Sequence, residues 1–197
     1  MSRTFLFLSL CLLFSIFAIS VAATSVESQA KQTVNFPKPH YHQEADDPDW
    51  VQAAAQFHGH LGPAIVVGVR MGAAGLNAVK AQGYFDIEVT AQGPFTGPPQ
   101  SCILDGLQLS TGATLGKHNL KVVVADDYVV TMKNKRTGTT AEIRPTPELL
   151  KLMWSRLEAD DHHENEDAHA EMHRVEALAR QIAALPQDEL MTIKIIP

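Results

Sequence analysis

The run Pro63 to Gln82, PAIVVGVRMGAAGLNAVKAQ, constrains the fold more than any other stretch of this chain. Pro63 suits the first position of a helix, where the N–H it lacks would be unpaired anyway, and Gly83 supplies a stop. The spacing predicts one helix across the run, with Ile65, Val69, Gly72, Leu76 and Val79 on one face. Its early turns are apolar nearly all round, the pattern of a helix covered on every side. Gly68, Gly72 and Gly75 each cost about 1 kcal/mol of helix propensity against alanine. Close packing of a neighbouring element is what would justify them. The domain is therefore expected to be built around this helix.

The flanking sequence supplies the rest of an α+β fold. Asp47 and Pro48 read as the cap and first position of a helix that runs to Phe57, where HGHLG interrupts it. Phe85 to Thr90 alternates with period two and predicts a strand with one buried face. The Gly/Pro-rich stretch Gln92 to Gln100 is a loop, and a third helix starts near Pro99 with Cys102 in or near its first turn. Leu120–Ala125 and Tyr128–Lys133 read as strands around a turn at Asp126 and Asp127, and NKRTG as a hairpin into Thr140–Arg144. Thr146-Pro147-Glu148 opens a helix with Leu150, Met153, Trp154 and Leu157 on one face. A further helix spans about Asn165 to Leu185, and Met191–Ile196 forms a last strand. Without regular βαβ alternation, the expected class is α+β, a mixed and mostly antiparallel sheet packed with helices.

The first 23 residues are read as a secretory signal peptide: Arg3, then an almost unbroken apolar run from Phe5 to Ile19, then Val21-Ala22-Ala23 before Thr24. An uncleaved anchor is the competing reading, since the run is near the lower limit for spanning a bilayer. Residues 24–46 are polar and aperiodic, a flexible arm carrying His40 and His42 as solvated side chains, and residues 47–197 make the domain. The expected location is periplasmic or secreted. Loss of Arg3 with the leader takes the formal charge from −6 to −7. Such an acidic domain lacks the basic patch that nucleic acid or an anionic membrane surface requires. After cleavage one cysteine, Cys102, remains, so no intramolecular disulfide framework is available.

The lone exported thiol has two readings, a buried inert cysteine or a metal ligand. At a helix N-terminus the unpaired N–H groups favour thiolate. Asp105, three residues on, shares its face, and a cation would relieve the repulsion between the two. His58 and His60 flank a glycine just before the long helix and point to one side, as two imidazoles chelating one ion would. Helix capping and surface hydrogen bonding are the alternative. His58, His60 and Cys102 together offer three N/S donors, a set that suits Zn2+ with a fourth position open, though another transition metal fits as well. Gly112–Lys117 is not a phosphate-binding loop, because three residues rather than four separate its glycines. His162, Glu166, His169 and His173 recur at helical spacings, the pattern of a solvated polar face or of a metal-collecting segment.

FHGHLGPAIVVGVRMG (Phe57–Gly72) followed by CILDGLQLSTGATLGKHNL (Cys102–Leu120) resembles the FmdE family, which takes its name from formylmethanofuran dehydrogenase. TMKNKRTG and LPQDELMTI fit its hairpin and its closing segment, so the resemblance covers about Trp50 to Ile195. It implies an FmdE-like α+β core and a homodimer. It also implies a cleft that holds His58 and His60 with Cys102 and Asp105, and places Gln108, Thr111 and Lys117 in the same block as residues that line it. The chain departs from the family in carrying Gly62 and Ala113 where cysteines are common, and in lacking the C-terminal cysteine module.

The expectation that follows is an exported metal-binding protein whose His2Cys site takes a small-molecule, one-carbon or cofactor substrate. Asp105 or Lys117 would handle protons if the site is catalytic, and Gln108 and Thr111 would contact the bound ligand. A non-catalytic metal or cofactor accessory protein, and a partner component of a redox complex, are the other classes that fit.

Overall fold

A computed structural model describes residues 34–159 and 168–196. The predicted leader, the start of the arm, and His162 and Glu166 lie outside the described residues. Helix α1 (Asp49–His58) leads into α2 (Pro63–Val79), then β1 (Ile87–Gly93) and α3 (Cys102–Thr111). Strands β2 (Leu120–Val124), β3 (Val129–Asn134) and β4 (Thr140–Pro145) precede α4 (Pro147–Ala159) and α5 (Ala168–Ala184). A one-turn helix α6 (Gln187–Leu190) feeds the last strand, β5 (Met191–Ile196). The sheet order is β2-β1-β3-β4-β5, antiparallel throughout except for the β1–β2 pair. The class is α+β, as the sequence predicts. The strand pairing is less local than expected: β2 and β3 are consecutive but do not pair, because β1 lies between them and α3 carries the parallel crossover from β1 to β2.

The glycine-studded helix α2 sits at the centre, against α1, α3 and α5 and against β3, β4 and β5. Eleven of its residues are buried, including Ile65, Val66, Val67 and Met71. Its glycines are there for proximity. A Cβ on Gly68 would stand 2.1 Å from the Ile103 carbonyl, and one on Gly106 of α3 would stand 2.2 Å from the Ile65 carbonyl. The two backbones therefore cross through facing glycines, and no side chain fits between. Gly75 meets the sheet in the same way, against the Met132 sulfur. The sheet's covered face follows from alternation: Ile87, Val89 and Ala91 of β1 are buried, as are Val130 and Met132 of β3 and Ala141 and Ile143 of β4.

Helix ends depart from the predicted bounds for identifiable reasons. Helix α2 stops at Val79, with Lys80 in the left-handed region, because the buried Asn134 side chain donates to the carbonyls of Val79 and Lys80 at 3.1 and 2.9 Å. Asp47 does not cap α1; Pro48 holds that position without a side-chain bond. The Asp47 carboxylate instead accepts from the Glu44 N–H at 2.8 Å, from the Tyr41 hydroxyl and from Arg180 of α5. Helix α4 opens where Thr146-Pro147-Glu148 predicts, and the Thr146 hydroxyl accepts from Leu149 N–H at 3.1 Å. Among the described side chains of α4 the buried ones are Leu149 and Met153; Met153 is as predicted, and Leu149 stands one residue around from the predicted Leu150. No helix among the described residues is long and apolar enough to cross a membrane.

The compact unit begins at Lys38, earlier than the predicted start at Asp47. Residues 38–46 form a strap: the His40 N–H donates to the Gly59 carbonyl at 2.6 Å, and Arg180 holds Asp47 through Nε and Nη2 at 2.8 and 2.9 Å. His42 is accordingly half-buried and hydrogen-bonded rather than solvated. Its backbone N–H donates to the Glu176 carboxylate at 3.0 Å.

Candidate functional site

The α1–α2 corner and the start of α3 meet at a cavity of about 210 Å³. His58 ends α1, and Gly59 takes a left-handed conformation (φ 96°) that turns the chain. His60 and Gly62 then precede Pro63, the first residue of α2. Cys102 opens α3 as predicted. Because α2 and α3 cross through Gly68 and Gly106, their N-terminal ends are brought close, and His58, His60 and Cys102 all line the same cavity. The opposite wall is apolar, with Met153 and Trp154 from α4 and Val175 and Leu178 from α5.

The imidazoles are arranged by their neighbours. His58 Nδ1 lies 2.7 Å from an Asp105 carboxylate oxygen, and the side chain of His58 is largely buried while that of Asp105 is about a third exposed. A carboxylate on Nδ1 fixes the ring and leaves Nε2 as the available donor, the usual outer-shell arrangement of a ligating histidine. Gln108 Nε2 reaches the other Asp105 oxygen at 3.5 Å, a contact at the limit of a hydrogen bond. The His58 and His60 rings stand 4.6 Å apart between centroids. Burial, and then the charge of His58, lower the pKa of His60, with the Glu176 carboxylate pulling the other way; the balance favours a neutral ring that can ligate. His60 also lies over Gly62, where a Cβ would come within 3.3 Å of its Nε2.

Cys102 behaves differently from the expectation at a helix N-terminus. Burial, and then the Asp105 carboxylate, push its thiol pKa up, and a backbone hydrogen bond opposes them more weakly. The helix-end effect is outweighed, so the free protein favours the thiol over the thiolate. A cation beside Cys102 and Asp105 would outweigh both effects by stabilising the thiolate directly.

Two residues predicted to line the cleft have other roles. Thr111 is buried at the far end of α3, donating to the Leu107 carbonyl at 2.6 Å and accepting from Ala113 N–H at 3.0 Å. Lys117 follows that same end, about 13 Å of helix rise from Cys102. It donates to the Thr114 hydroxyl at 3.2 Å, and its ammonium group stands 5.9 Å from the centre of the Phe85 ring. Of the predicted residues, His58, His60 and Cys102 share the cavity, Asp105 and Gln108 stand behind His58, and Thr111 and Lys117 lie outside.

A second group of imidazoles is not evident from the sequence. His42 of the strap meets His169 and His173 of α5, and their ligand atoms all lie within 4.8 Å of one another, an arrangement that could hold a metal ion. Among the described residues this is the gathered group of three; His58, His60 and Cys102 share a cavity without converging as tightly. The i,i+4 spacing of His169 and His173 is legible in the sequence, but the docking of His42 upon them is not.

A family model described as FmdE, molybdenum formylmethanofuran dehydrogenase operon, matches residues 57–192. No curated protein matches the chain. Among solved structures, a tungsten formylmethanofuran dehydrogenase FmdE-like protein from Syntrophus aciditrophicus is similar at 17% identity, with a TM-score of 0.47 over 75% of this chain and 70% of that one. The family match spans both blocks that build the cavity, from Phe57 through Cys102 to the last strand: the chain belongs to the FmdE family.

Proposed function

We propose that this protein binds a transition metal of the zinc type through His58, His60 and Cys102, and takes a small, partly apolar ligand into the adjoining cavity. The observation that carries the reading is that the two imidazoles and the only thiol of the described residues line one cavity. The donor chemistry fits: two imidazoles, one of them positioned by Asp105, and a thiol whose deprotonation a cation would drive. A bound ion would supply Lewis acidity or an activated water at the cavity wall. The chain's own residues would do the rest. Asp105 holds His58 in orientation, and the apolar wall of Met153, Trp154, Val175 and Leu178 excludes water and selects a ligand with one polar end. Asp105, about a third open to solvent, is the residue placed to exchange a proton with His58 Nδ1. We place the mature protein outside the cytoplasm, on the strength of the leader-like residues 1–23, and as a homodimer, as the family resemblance implies.

Titration with Co2+ tests the ligand set, because a cobalt–thiolate bond gives a near-ultraviolet charge-transfer band that imidazole alone does not. The band should appear in the wild-type protein, vanish in Cys102→Ser and weaken in His58→Ala. A band that Cys102→Ser leaves unchanged, or no band at all, overturns the assignment.

A further inference from the structure

We propose that His42, His169 and His173 form a second metal site, distinct from the cavity, that takes a late first-row divalent cation and clamps the strap to α5. The three rings pack with centroids 4.1 to 4.8 Å apart, and their ligand atoms lie within 4.8 Å of one another. His169 and His173 are one turn apart on α5, the spacing at which two imidazoles of one helix reach the same ion. His42 brings the third donor from the other end of the folded chain.

What separates this group from imidazoles stacked by chance is the carboxylate behind it. Glu176 is fully buried, and both its oxygens lie 3.3 Å from His42 Nδ1. One of them also accepts the His42 backbone N–H at 3.0 Å, and Arg180 balances the charge at 3.7 Å. A buried carboxylate held on Nδ1 fixes the ring, raises its basicity and leaves Nε2 to coordinate. The other two rings belong to exposed residues of α5. A zinc-type ion with bonds of about 2 Å needs its donors roughly 3.3 Å apart, so binding would draw together ligand atoms that lie within 4.8 Å of one another. An all-imidazole set with no thiol suits Zn2+, Ni2+ or Cu2+ and leaves at least one position to water.

The site stands independently of the cavity assignment, so it is tested where that site has been disabled. In a His58→Ala, Cys102→Ser background, Zn2+ followed by calorimetry should bind with one equivalent. Adding His169→Ala and His173→Ala should weaken that binding at least tenfold while the far-ultraviolet spectrum stays unchanged. Hydrogen exchange provides the second readout: Zn2+ should slow exchange of the His42 amide in the first variant and leave it unaltered in the second. No binding in the cavity-disabled protein overturns the proposal, and so does equal binding with and without His169 and His173. Binding without slower exchange at His42 overturns the clamp.

Discussion

Among the described residues two places gather histidines, and they are built in opposite ways. The cavity pair, His58 and His60, stands on the corner where α1 turns into α2, and Cys102 is held opposite because two backbones touch at Gly68 and Gly106. Side-chain packing and steric exclusion do the positioning there. The strap group depends on Arg180, which spans Asp47, Glu44 and Glu176, and on Tyr41, whose hydroxyl also reaches Asp47. Polar bonds between distant segments do the positioning here. The first arrangement should fail when volume is added, and the second when charge is removed.

Volume at the helix crossing gives the largest expected effect. Gly106→Ala puts a methyl 2.2 Å from the Ile65 carbonyl and 2.6 Å from the Val69 nitrogen, both backbone atoms that have nowhere to go. Overpacking of this kind should cost about 3 kcal/mol. The cost is read from denaturant midpoints at unchanged slope. Gly97→Ala is the control, because no atom lies within 4 Å of the position a Cβ would take there. If Gly106→Ala is as stable as Gly97→Ala, the crossing is not what holds the cavity together.

Removing charge from the strap is the complementary break. Arg180→Met leaves the buried Asp47 and Glu176 carboxylates without their cation, which should cost about 3 kcal/mol, as uncompensated buried charges do. Hydrogen exchange across residues 38–46 should rise sharply. A variant that destabilises the whole protein while those amides stay protected would show that the strap is held by something other than this network.

The contrast also explains what the sequence disclosed. Helix α2 was legible because an all-round apolar run with Gly68, Gly72 and Gly75 has few other solutions, and its burial came out as expected. The cavity residues were legible as local motifs, a His-x-His before a helix and a cysteine at the start of one. The sheet order was not, since inserting β1 between β2 and β3 is a long-range choice that adjacent strand patterns do not encode. Neither was the strap. Its polar, aperiodic residues look like an arm, and the single aromatic Tyr41 and the Asp47 beside Pro48 carried a signal that capping rules explained too readily. Lys117 and Thr111 misled for a simpler reason: they share a sequence block with Cys102 but lie a helix length away.

Acid probes the strap by a smaller amount. Arg180 first, and then hydrogen bonds from Tyr41 and Glu44, hold Asp47 at a pKa of about 2 rather than its ordinary 3.8, against the opposing effect of burial. The unfolded chain therefore binds the proton more readily, and the contribution is complete above about pH 4 and is lost as pH falls toward 2. It amounts to about 2 kcal/mol. Asp47→Asn should flatten stability against pH in that window, measured by urea unfolding between pH 2 and 5. An unchanged slope would mean that another carboxylate is responsible.

Asp105→Asn should disturb the fold least and sharpen the comparison most. The Asp105 side chain is partly exposed and bonded mainly to one histidine, so unfolding free energy should move by no more than about 0.5 kcal/mol. Its effect belongs to the cavity alone. With His58 no longer held through Nδ1, Co2+ affinity read at the thiolate band should fall about tenfold or more. At the same time the nearby negative charge that raises the Cys102 thiol is removed, which works in the opposite direction. A net loss of affinity means that orienting the imidazole matters more than easing the thiol's deprotonation, and a net gain means the reverse. Zinc binding that depends on His169 and His173 should be untouched in either case, because the carboxylate behind that group is Glu176, which holds His42 through Nδ1. If Asp105→Asn weakens both sites together, the two histidine groups are one coupled centre, and the distinction between packing and polar tethering does not separate them.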